Sequence, residues 1–160
     1  MAIGANSYGS VAEVEALTGR YTAAGSYDGT TRPTLIQVEK FIDRVSALLN
    51  MLLAEQGYEI PVSQADAALV CDEFAVEQAV QLCHGANGAG PFAPGSEELR
   101  GRTAFRIISQ EASVFVGDHA AGLGFLGATR TREQTFGLQA TLTDTSGDDL
   151  EKMFSREDWP

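Results

Sequence analysis

The residues best suited to chemistry lie in the middle of the chain. Cys71, Cys83 and His84 are the side chains there that could bind a metal or act as a nucleophile. Zinc sites usually combine two closely spaced pairs of ligands, and no second pair accompanies Cys83 and His84. If one helix carries both cysteines, helix rise places them about 18 Å apart, which is too far for a disulfide. We therefore expect reduced, buried thiols with a structural role, and neither a metal nor another cofactor.

The acidic residues of the same region are a second candidate. Asp66, Glu73 and Glu77 fall with His84 on one narrow stripe of a predicted helix, and no Lys or Arg occurs between residues 63 and 85. Glu73 and Glu77 are one turn apart and could in principle work as a carboxylate pair in a pocket. A stripe that faces solvent or a channel is the more economical interpretation, so we do not expect an enzyme.

A glycine pattern near the end of the helical region is a third candidate. Gly122, Gly124 and Gly127 match G-x-G-x-x-G. A dinucleotide-binding loop requires a strand before this pattern and a helix after it. Here a predicted helix precedes the glycines and an extended segment follows them, so we interpret the pattern as a helix exit.

Composition limits the classes of function. The chain has 160 residues, 44% hydrophobic and 21% charged, as expected of one globular domain with its own core. Its 22 acidic and 11 basic residues give a net charge of −11, which disfavours tight DNA binding because phosphate contacts need Lys and Arg. No apolar run is long enough to span a bilayer, and the N-terminal residues lack the pattern of a secretory signal. We expect synthesis in a cytoplasm and no membrane partner.

Two amphipathic segments predict the first helices. Ser10 and Glu13 have the spacing of a capping box before a helix of about two turns, which Gly19 should end. Residues 33–56 predict a long helix with Pro33 at its first position. Its apolar arc comprises Leu35, Val38, Phe41, Ile42, Val45, Leu48, Leu49, Leu52 and Leu53. Its polar arc comprises Glu39, Lys40, Asp43, Arg44, Ser46 and Asn50.

Two further helices are predicted. Ser63 with Asp66 should cap the third helix, residues 63–84, which Gly85 should end. That helix is apolar around most of its circumference, which favours burial on several sides and a subunit interface. Ser96 should cap the fourth helix, and the glycines of the G-x-G-x-x-G pattern should end it. Its apolar face comprises Ala104, Phe105, Ile108, Ala112, Phe115 and Val116.

The character of the chain changes toward its C-terminal end. Residues 135–143 alternate between apolar and polar side chains, as a strand with one apolar face does. Leu150, Met153 and Phe154 follow at the spacing of a helical turn. A lone strand and a lone turn cannot build a core, so we expect residues 128–160 to contact a partner. The predicted contact residues are Phe136, Leu138, Leu142, Leu150, Met153, Phe154 and Trp159.

Together these segments predict a mainly α protein. About four helices form a small bundle over residues 1–127, and residues 128–160 extend from it as an arm. The arm could include a β-strand and a short terminal helix.

The first third of the chain resembles a known family. Between Ser7 and Val62 it contains, in order, S-V-x-E-V-x-A-L, PT-x-x-QVEKFID-x-x-S-x-x-L-N and G-Y-x-x-PV. This succession is similar to that of the head–tail connector, or adaptor, proteins of tailed bacteriophages. The loop at residues 85–95 and the chain beyond residue 127 fit the family less closely.

The resemblance implies a structural virion protein. In that family small helical bundles form a twelvefold ring beneath the portal vertex of the capsid, and the C-terminal segment commonly docks on the portal or on a neighbouring subunit. The ring extends the DNA channel and receives the next neck component. The implied partners are therefore other copies of the chain, the portal protein and a neck or tail-completion protein.

The resemblance also gives the acidic balance a role. In the ring, Asp66, Glu73 and Glu77 would face the channel, where like charge lets DNA pass without specific binding. Composition alone favours a plainer interpretation, in which acidity serves solubility. The alternative function is that of a helical ligand-binding or enzymatic protein with an acidic pocket on the 63–84 helix.

Overall fold

The computed structural model describes residues 3–93 and 103–131, and this part of the chain is mainly helical. Its four α-helices are α1 (Val11–Leu17), α2 (Leu35–Glu55), α3 (Ala65–Ala86) and α4 (Ala104–Phe125), with a 3₁₀ turn at Gly19–Tyr21. The described residues contain isolated β-bridges but no strand. The predicted fold class, a small helical bundle, is confirmed. None of the described helices is long and apolar enough to cross a membrane.

Helix α1 is capped as predicted at its start but ends differently. The Glu13 amide donates to Ser10 Oγ over 3.3 Å, and the Ser10 hydroxyl donates to the Glu13 carboxylate over 2.7 Å. The carboxylate therefore returns to the hydroxyl rather than to the Ser10 amide. Thr18, not Gly19, is the C-cap, because its amide donates to Val14 O and Glu15 O. Gly19 instead begins the 3₁₀ turn.

Helix α2 is the central helix, and two predictions about it are wrong. It begins at Leu35 rather than Pro33, because Thr34 and Gln37 form a capping box in which the Thr34 amide donates to Gln37 Oε1 over 2.9 Å. Three members of the predicted polar arc are buried, because the bundle and the N-terminal loop cover that side of the helix. These three residues are Glu39, Ser46 and Asn50.

The predicted ends of the other two helices also shift. Gln64, not Ser63, precedes α3, and α3 continues through Gly85 to Ala86. Helix α4 begins after Thr103, whose hydroxyl accepts from the Arg106 amide over 3.3 Å. The predicted start at Ser96 lies outside the described residues.

The glycine-rich end of α4 is helical for longer than predicted. Gly117, Gly122 and Gly124 lie inside the helix. Gly127 follows its C-cap with φ of +87°, a left-handed conformation that favours glycine. Only the last glycine of the pattern therefore acts as the predicted helix exit.

Helix α2 packs against both α3 and α4, whereas α3 and α4 touch each other little. One part of the core joins Leu49 and Leu53 of α2 to Cys71 of α3 and Ala112 of α4. A second part joins α1, α2 and α3 around Ile42. Because α3 and α4 both pack on α2 but make few contacts with each other, an open groove remains between them.

The bundle extends past the predicted domain boundary at residue 127. Ala128 is buried, the Glu59 amide donates to Thr129 O over 2.9 Å, and the Thr131 amide donates to Gly57 O over 2.8 Å. The first four residues of the predicted arm therefore belong to the bundle. The predicted contact residues from Phe136 to Trp159 lie outside the described residues.

Candidate interaction surfaces

The three carboxylates that the sequence placed on one stripe lie on the exposed side of α3, and two of them line different grooves. Asp66, Glu73 and Glu77 are all exposed on α3. Glu73 lines a groove between α1 and α3 that also contains Leu17 and Leu69. Glu77 lines a different groove, between α3 and α4. Glu73 and Glu77 therefore border different concave surfaces, although both lie on the exposed side of α3.

His84 lies apart from these carboxylates and holds the 3₁₀ turn to α3. Its Nδ1 is 2.7 Å from the Arg20 guanidinium and 3.1 Å from the Tyr21 hydroxyl, and its ring meets the Tyr21 ring edge-on. Partial burial and the nearby Arg20 charge lower the pKa of His84 from its ordinary value of 6.5. The neutral ring, which can accept a hydrogen bond, suits these two donors.

The two cysteines are free and buried, as expected. Burial raises the pKa of Cys71 to about 12 and that of Cys83 to about 11. A nucleophilic cysteine needs a depressed pKa, because the thiolate is the reactive form. Both residues therefore have the environment of structural thiols. The described part of the chain contains no group of three or more His, Cys, Asp or Glu that could hold a metal ion.

The groove between α3 and α4 has a volume of about 510 Å³. Its apolar wall includes Phe74 and Phe115, whose rings stack with centroids 4.5 Å apart, and His119 packs against Phe115 at 5.0 Å. The described residues that line it include three carboxylates and no Lys or Arg. We call it the acidic groove, and it is lined by Phe74, Glu77, Gln78, Ile107, Gln110, Glu111, Val114, Phe115, Asp118 and His119.

One residue that lines the acidic groove has a buried side-chain oxygen without a hydrogen-bond donor among the described residues. Gln78 is only 7% exposed, and its Oε1 has no hydrogen-bond partner in the described residues. A buried amide oxygen without a donor typically costs about 1–3 kcal/mol. Sequence reasoning missed this residue, because its burial depends on α4 packing beside α3.

The exposed side of α2 carries a second surface that sequence reasoning missed. Five exposed residues recur there at helical spacing within one narrow arc. We call this set the basic stripe, and it comprises Ile36, Lys40, Arg44, Ala47 and Met51. Lys40 and Arg44 stand at its centre, and neither forms an ion pair with any described residue. The i, i+4, i+8 spacing of Ile36, Lys40 and Arg44 was visible in the sequence, but Lys40 and Arg44 were assigned only to the polar arc of the helix.

A buried hydrogen-bonded cluster joins the segments that carry the family resemblance. The Tyr8 amide donates to Ser46 Oγ over 2.9 Å, and the Tyr8 hydroxyl donates to Asn50 Oδ1 over 2.8 Å. The same hydroxyl accepts from the Val62 amide over 2.9 Å, and the Asn50 amide group donates to Asn6 O over 2.8 Å. We call the side chains of Tyr8, Ser46 and Asn50 with the backbone of Val62 the Tyr8 joint.

A second tyrosine, Tyr58, links the turn after α2 to the C-terminal end of the bundle. The Tyr58 hydroxyl donates to Ala120 O and accepts from the Arg130 guanidinium, which lies over the Tyr58 ring. A side chain at Gly124 would approach the Tyr58 hydroxyl to 3.2 Å. Gly124 thus has a packing role inside α4, unlike a glycine in a dinucleotide-binding loop.

Comparisons of the chain with protein-family models, with curated proteins and with solved structures found no match. Function has therefore to be inferred from the residues of the chain and from the surfaces described above.

Proposed function

We propose that this chain is a neck adaptor of a tailed bacteriophage, a structural virion protein that forms a ring between the capsid portal and the tail. The observation that carries the proposal is the Tyr8 joint. Two of the three stretches that resemble the connector family meet there, since Ser46 and Asn50 end the second and Val62 ends the third, and Tyr8 lies just before the first. The resemblance thus involves residues that pack into one structural unit.

The distribution of exposed apolar side chains also supports an assembly role. Phe125 is 91% exposed and Phe105 is 65% exposed on α4, and Ile36 and Met51 are each about half exposed on α2. Large apolar side chains grouped on several faces are typical of a surface that partners cover. An adaptor needs several such faces, since it meets neighbouring subunits, the portal and the next neck component.

The acidic surface suits a conduit for DNA. The net charge of −11 gives no attraction for phosphate, so DNA would pass the wall of a ring without sticking. Asp66 and Glu73 are the exposed carboxylates that we assign to the channel. Glu77 instead shares the acidic groove with Glu111 and Asp118.

The remaining chain beyond the bundle is assigned to partner contact. The assignment rests on the sequence pattern of residues 132–160, whose aromatic, Leu and Met side chains suit an interface. The partners would be the portal protein or an adjacent copy in a ring, for which the resemblance to the connector family implies twelvefold symmetry. The protein would be made in the host cytoplasm and reside in the neck of the virion.

Co-assembly with the portal protein tests this function. The full chain and a chain truncated after Thr131 are each expressed with the portal protein of the same genome, purified and imaged. We expect the full chain to add a ring beneath the portal. The truncated chain should fold with an unchanged helical circular dichroism spectrum but fail to join the portal.

A third variant, truncated after Gly127, provides the matched control. It lacks the hydrogen bonds that Thr129 and Thr131 make with the bundle, so it should melt at a lower temperature than the chain ending at Thr131. Full occupancy by the chain ending at Thr131 would contradict the role of the arm. Failure of the full chain to bind the portal would contradict the proposed function.

A further inference from the structure

We propose that the acidic groove of one copy binds the basic stripe on α2 of a second copy, so that the chain associates head to tail. The proposal rests on the proposed function only for the closure of that association into a ring. The contact itself is argued from the two surfaces. They are made of different residues on different helices, so one copy can offer its stripe while its own groove receives another.

The charges of the two surfaces are complementary. Glu77, Glu111 and Asp118 line the groove, and within residues 3–93 and 103–131 no Lys or Arg does. Lys40 and Arg44 occupy the centre of the stripe. The acidic neighbour Asp43 keeps its charge beside them, but its carboxylate accepts from the Gly4 amide and the Ser7 hydroxyl rather than pairing with either cation.

None of these groove carboxylates forms an ion pair with a described residue. The charges of the groove and of the stripe are therefore available to a partner. Like charges repel two identical faces brought together, whereas opposite charges attract the groove of one copy to the stripe of another.

Gln78 provides an independent indication that the groove receives a donor. Its side chain is more than nine-tenths buried beside the groove, yet its Oε1 accepts no hydrogen bond. Lys and Arg side chains are pure donors. Gln78 lines the groove, and the terminal torsion of Gln is soft, so its amide group can reorient toward an inserted ammonium or guanidinium group.

The apolar residues and the lengths of the two surfaces also correspond. Ile36 and Met51, each about half exposed, lie at the two ends of the stripe, and Val114, 57% exposed, lies in the groove with the Phe115 ring. From Ile36 to Met51 the helix rises about 22 Å, and the groove side of α4 from Ile107 to Asp118 rises about 17 Å. The two helices can therefore lie along each other over most of the stripe.

Head-to-tail contact between unlike surfaces is the geometry from which rings are built. Such an interface repeats from copy to copy and closes when the rotation between copies divides a full turn. The contact covers Glu77, which assigns that residue to the subunit interface and leaves Asp66 and Glu73 for the channel. Two contact surfaces per copy are sufficient for a closed ring.

Paired charge reversals of the full-length protein test the contact. In the groove variant, Glu77→Lys is combined with Glu111→Lys, and in the stripe variant Lys40→Glu is combined with Arg44→Glu. Sedimentation velocity at low ionic strength measures association against protein concentration. Wild type should associate, and more weakly as salt screens the charges. Each variant alone should associate at least about tenfold more weakly, because both of its surfaces carry the same sign.

An equimolar mixture of the two variants is the decisive sample. The acidic stripe of one variant meets the basic groove of the other, and the basic stripe meets the acidic groove, so association should return to near the wild-type level. Glu59→Lys, an exposed carboxylate on neither surface, controls for net charge and should leave association unchanged. If either reversed variant fails to fold, Glu111→Gln and Arg44→Gln replace the reversals and should each weaken association.

The outcomes separate this contact from the proposed function. Wild-type association by either reversed variant, no recovery in the mixture, or a wild type that never associates would each overturn the contact. If both reversed variants still form a ring on the portal, the proposed contact is wrong and the adaptor function stands. If the protein instead associates into open filaments of indefinite length, the contact stands and the closed ring is contradicted.

Discussion

The Tyr8 joint and the acidic groove are both rich in polar side chains, but only the joint satisfies them internally. In the joint, the Tyr8 hydroxyl and the Asn50 side chain each have partners within the same chain. In the groove, Gln78 Oε1 has no partner and the carboxylates form no ion pair among the described residues. A polar cluster that is complete within one chain stabilises a fold, whereas an incomplete one beside open space is suited to binding a partner.

The physical basis of this contrast is desolvation. A buried polar group costs free energy unless a hydrogen bond replaces its water. The joint meets that cost by bringing the N-terminal loop, α2 and the turn before α3 together. The groove leaves that cost unmet at Gln78, because α3 and α4 both pack on α2 but make few contacts with each other. Substitutions in the joint should therefore lower stability, and substitutions on the exposed surface of the groove should mainly alter association.

The largest effect is expected in α2, which supports both regions. Leu49→Asp or Val45→Asp would place an unpaired carboxylate at a position that is essentially fully buried. The free energy of unfolding should fall by about 3 kcal/mol or more, enough to unfold the domain. Ala47→Asp, on the exposed side of the same helix, should cost less than about 1 kcal/mol. Circular dichroism melts measure both, and a wild-type melt for Leu49→Asp would contradict the assigned helix register.

The next largest effect should come from the Tyr8 joint. Tyr8→Phe removes one hydroxyl and leaves Asn50 Oδ1 and the Val62 amide without a partner. This change should cost about 1–3 kcal/mol, because both groups stay buried. Tyr21→Phe removes a hydroxyl that contacts only the partly exposed His84 ring, so it should cost less. If urea denaturation gave equal losses of unfolding free energy for Tyr8→Phe and Tyr21→Phe, the joint would not be a distinct stabilising cluster.

Gly85 of α3 and Gly117 of α4 differ in the space that is available for a side chain. A Cβ at Gly85 would lie 2.6 Å from Phe92 Cβ, whereas a Cβ at Gly117 would meet nothing within 4 Å. Gly85→Ala should therefore destabilise the protein by about 1–3 kcal/mol. Gly117→Ala should stabilise it by about 0.5–1 kcal/mol, because alanine loses less conformational freedom in a helix. Thermal melts that shift in the same direction for both variants would contradict this packing.

The smallest effect is a pH dependence at His84. Because the folded state lowers its pKa below 6.5, the unfolded chain binds more protons just below that pH. The contribution of His84 is therefore complete above about pH 6.5 and is lost as the pH falls toward the lower, folded-state pKa. Between about pH 7 and pH 5, His84→Gln should lose less stability than wild type. If wild type and His84→Gln showed identical slopes of unfolding free energy against pH, His84 would not be the group responsible for this pH dependence.

The sequence predicted the helices because burial imposes a periodic pattern on α2, α3 and α4. It predicted their ends poorly, because local caps and distant packing decide them. Pro33 looked like a first helical residue, but the Thr34 and Gln37 side chains set the start. Gly85 looked like a helix end, but α3 continues through it.

The candidate surfaces were harder to predict than the helices. The acidic residues of α3 were visible in the sequence, whereas Glu111 and Asp118 join Glu77 only once α4 packs beside α3. Asn50 and Ser46 looked solvated, because their partners Tyr8 and Asn6 lie some forty residues away in the chain. Such features depend on tertiary contacts that no local spacing encodes.

The location of the chain in the assembled particle tests the adaptor proposal most directly. A cryo-electron microscopy reconstruction of the portal vertex, made without imposed symmetry, would show whether the bundle lies there. We expect one ring of bundles beneath the portal, with Asp66 and Glu73 facing the channel and with α2 of each copy against the α3–α4 groove of the next. Purified infectious particles that lack the chain, or that carry it away from the portal vertex, would contradict the proposed function.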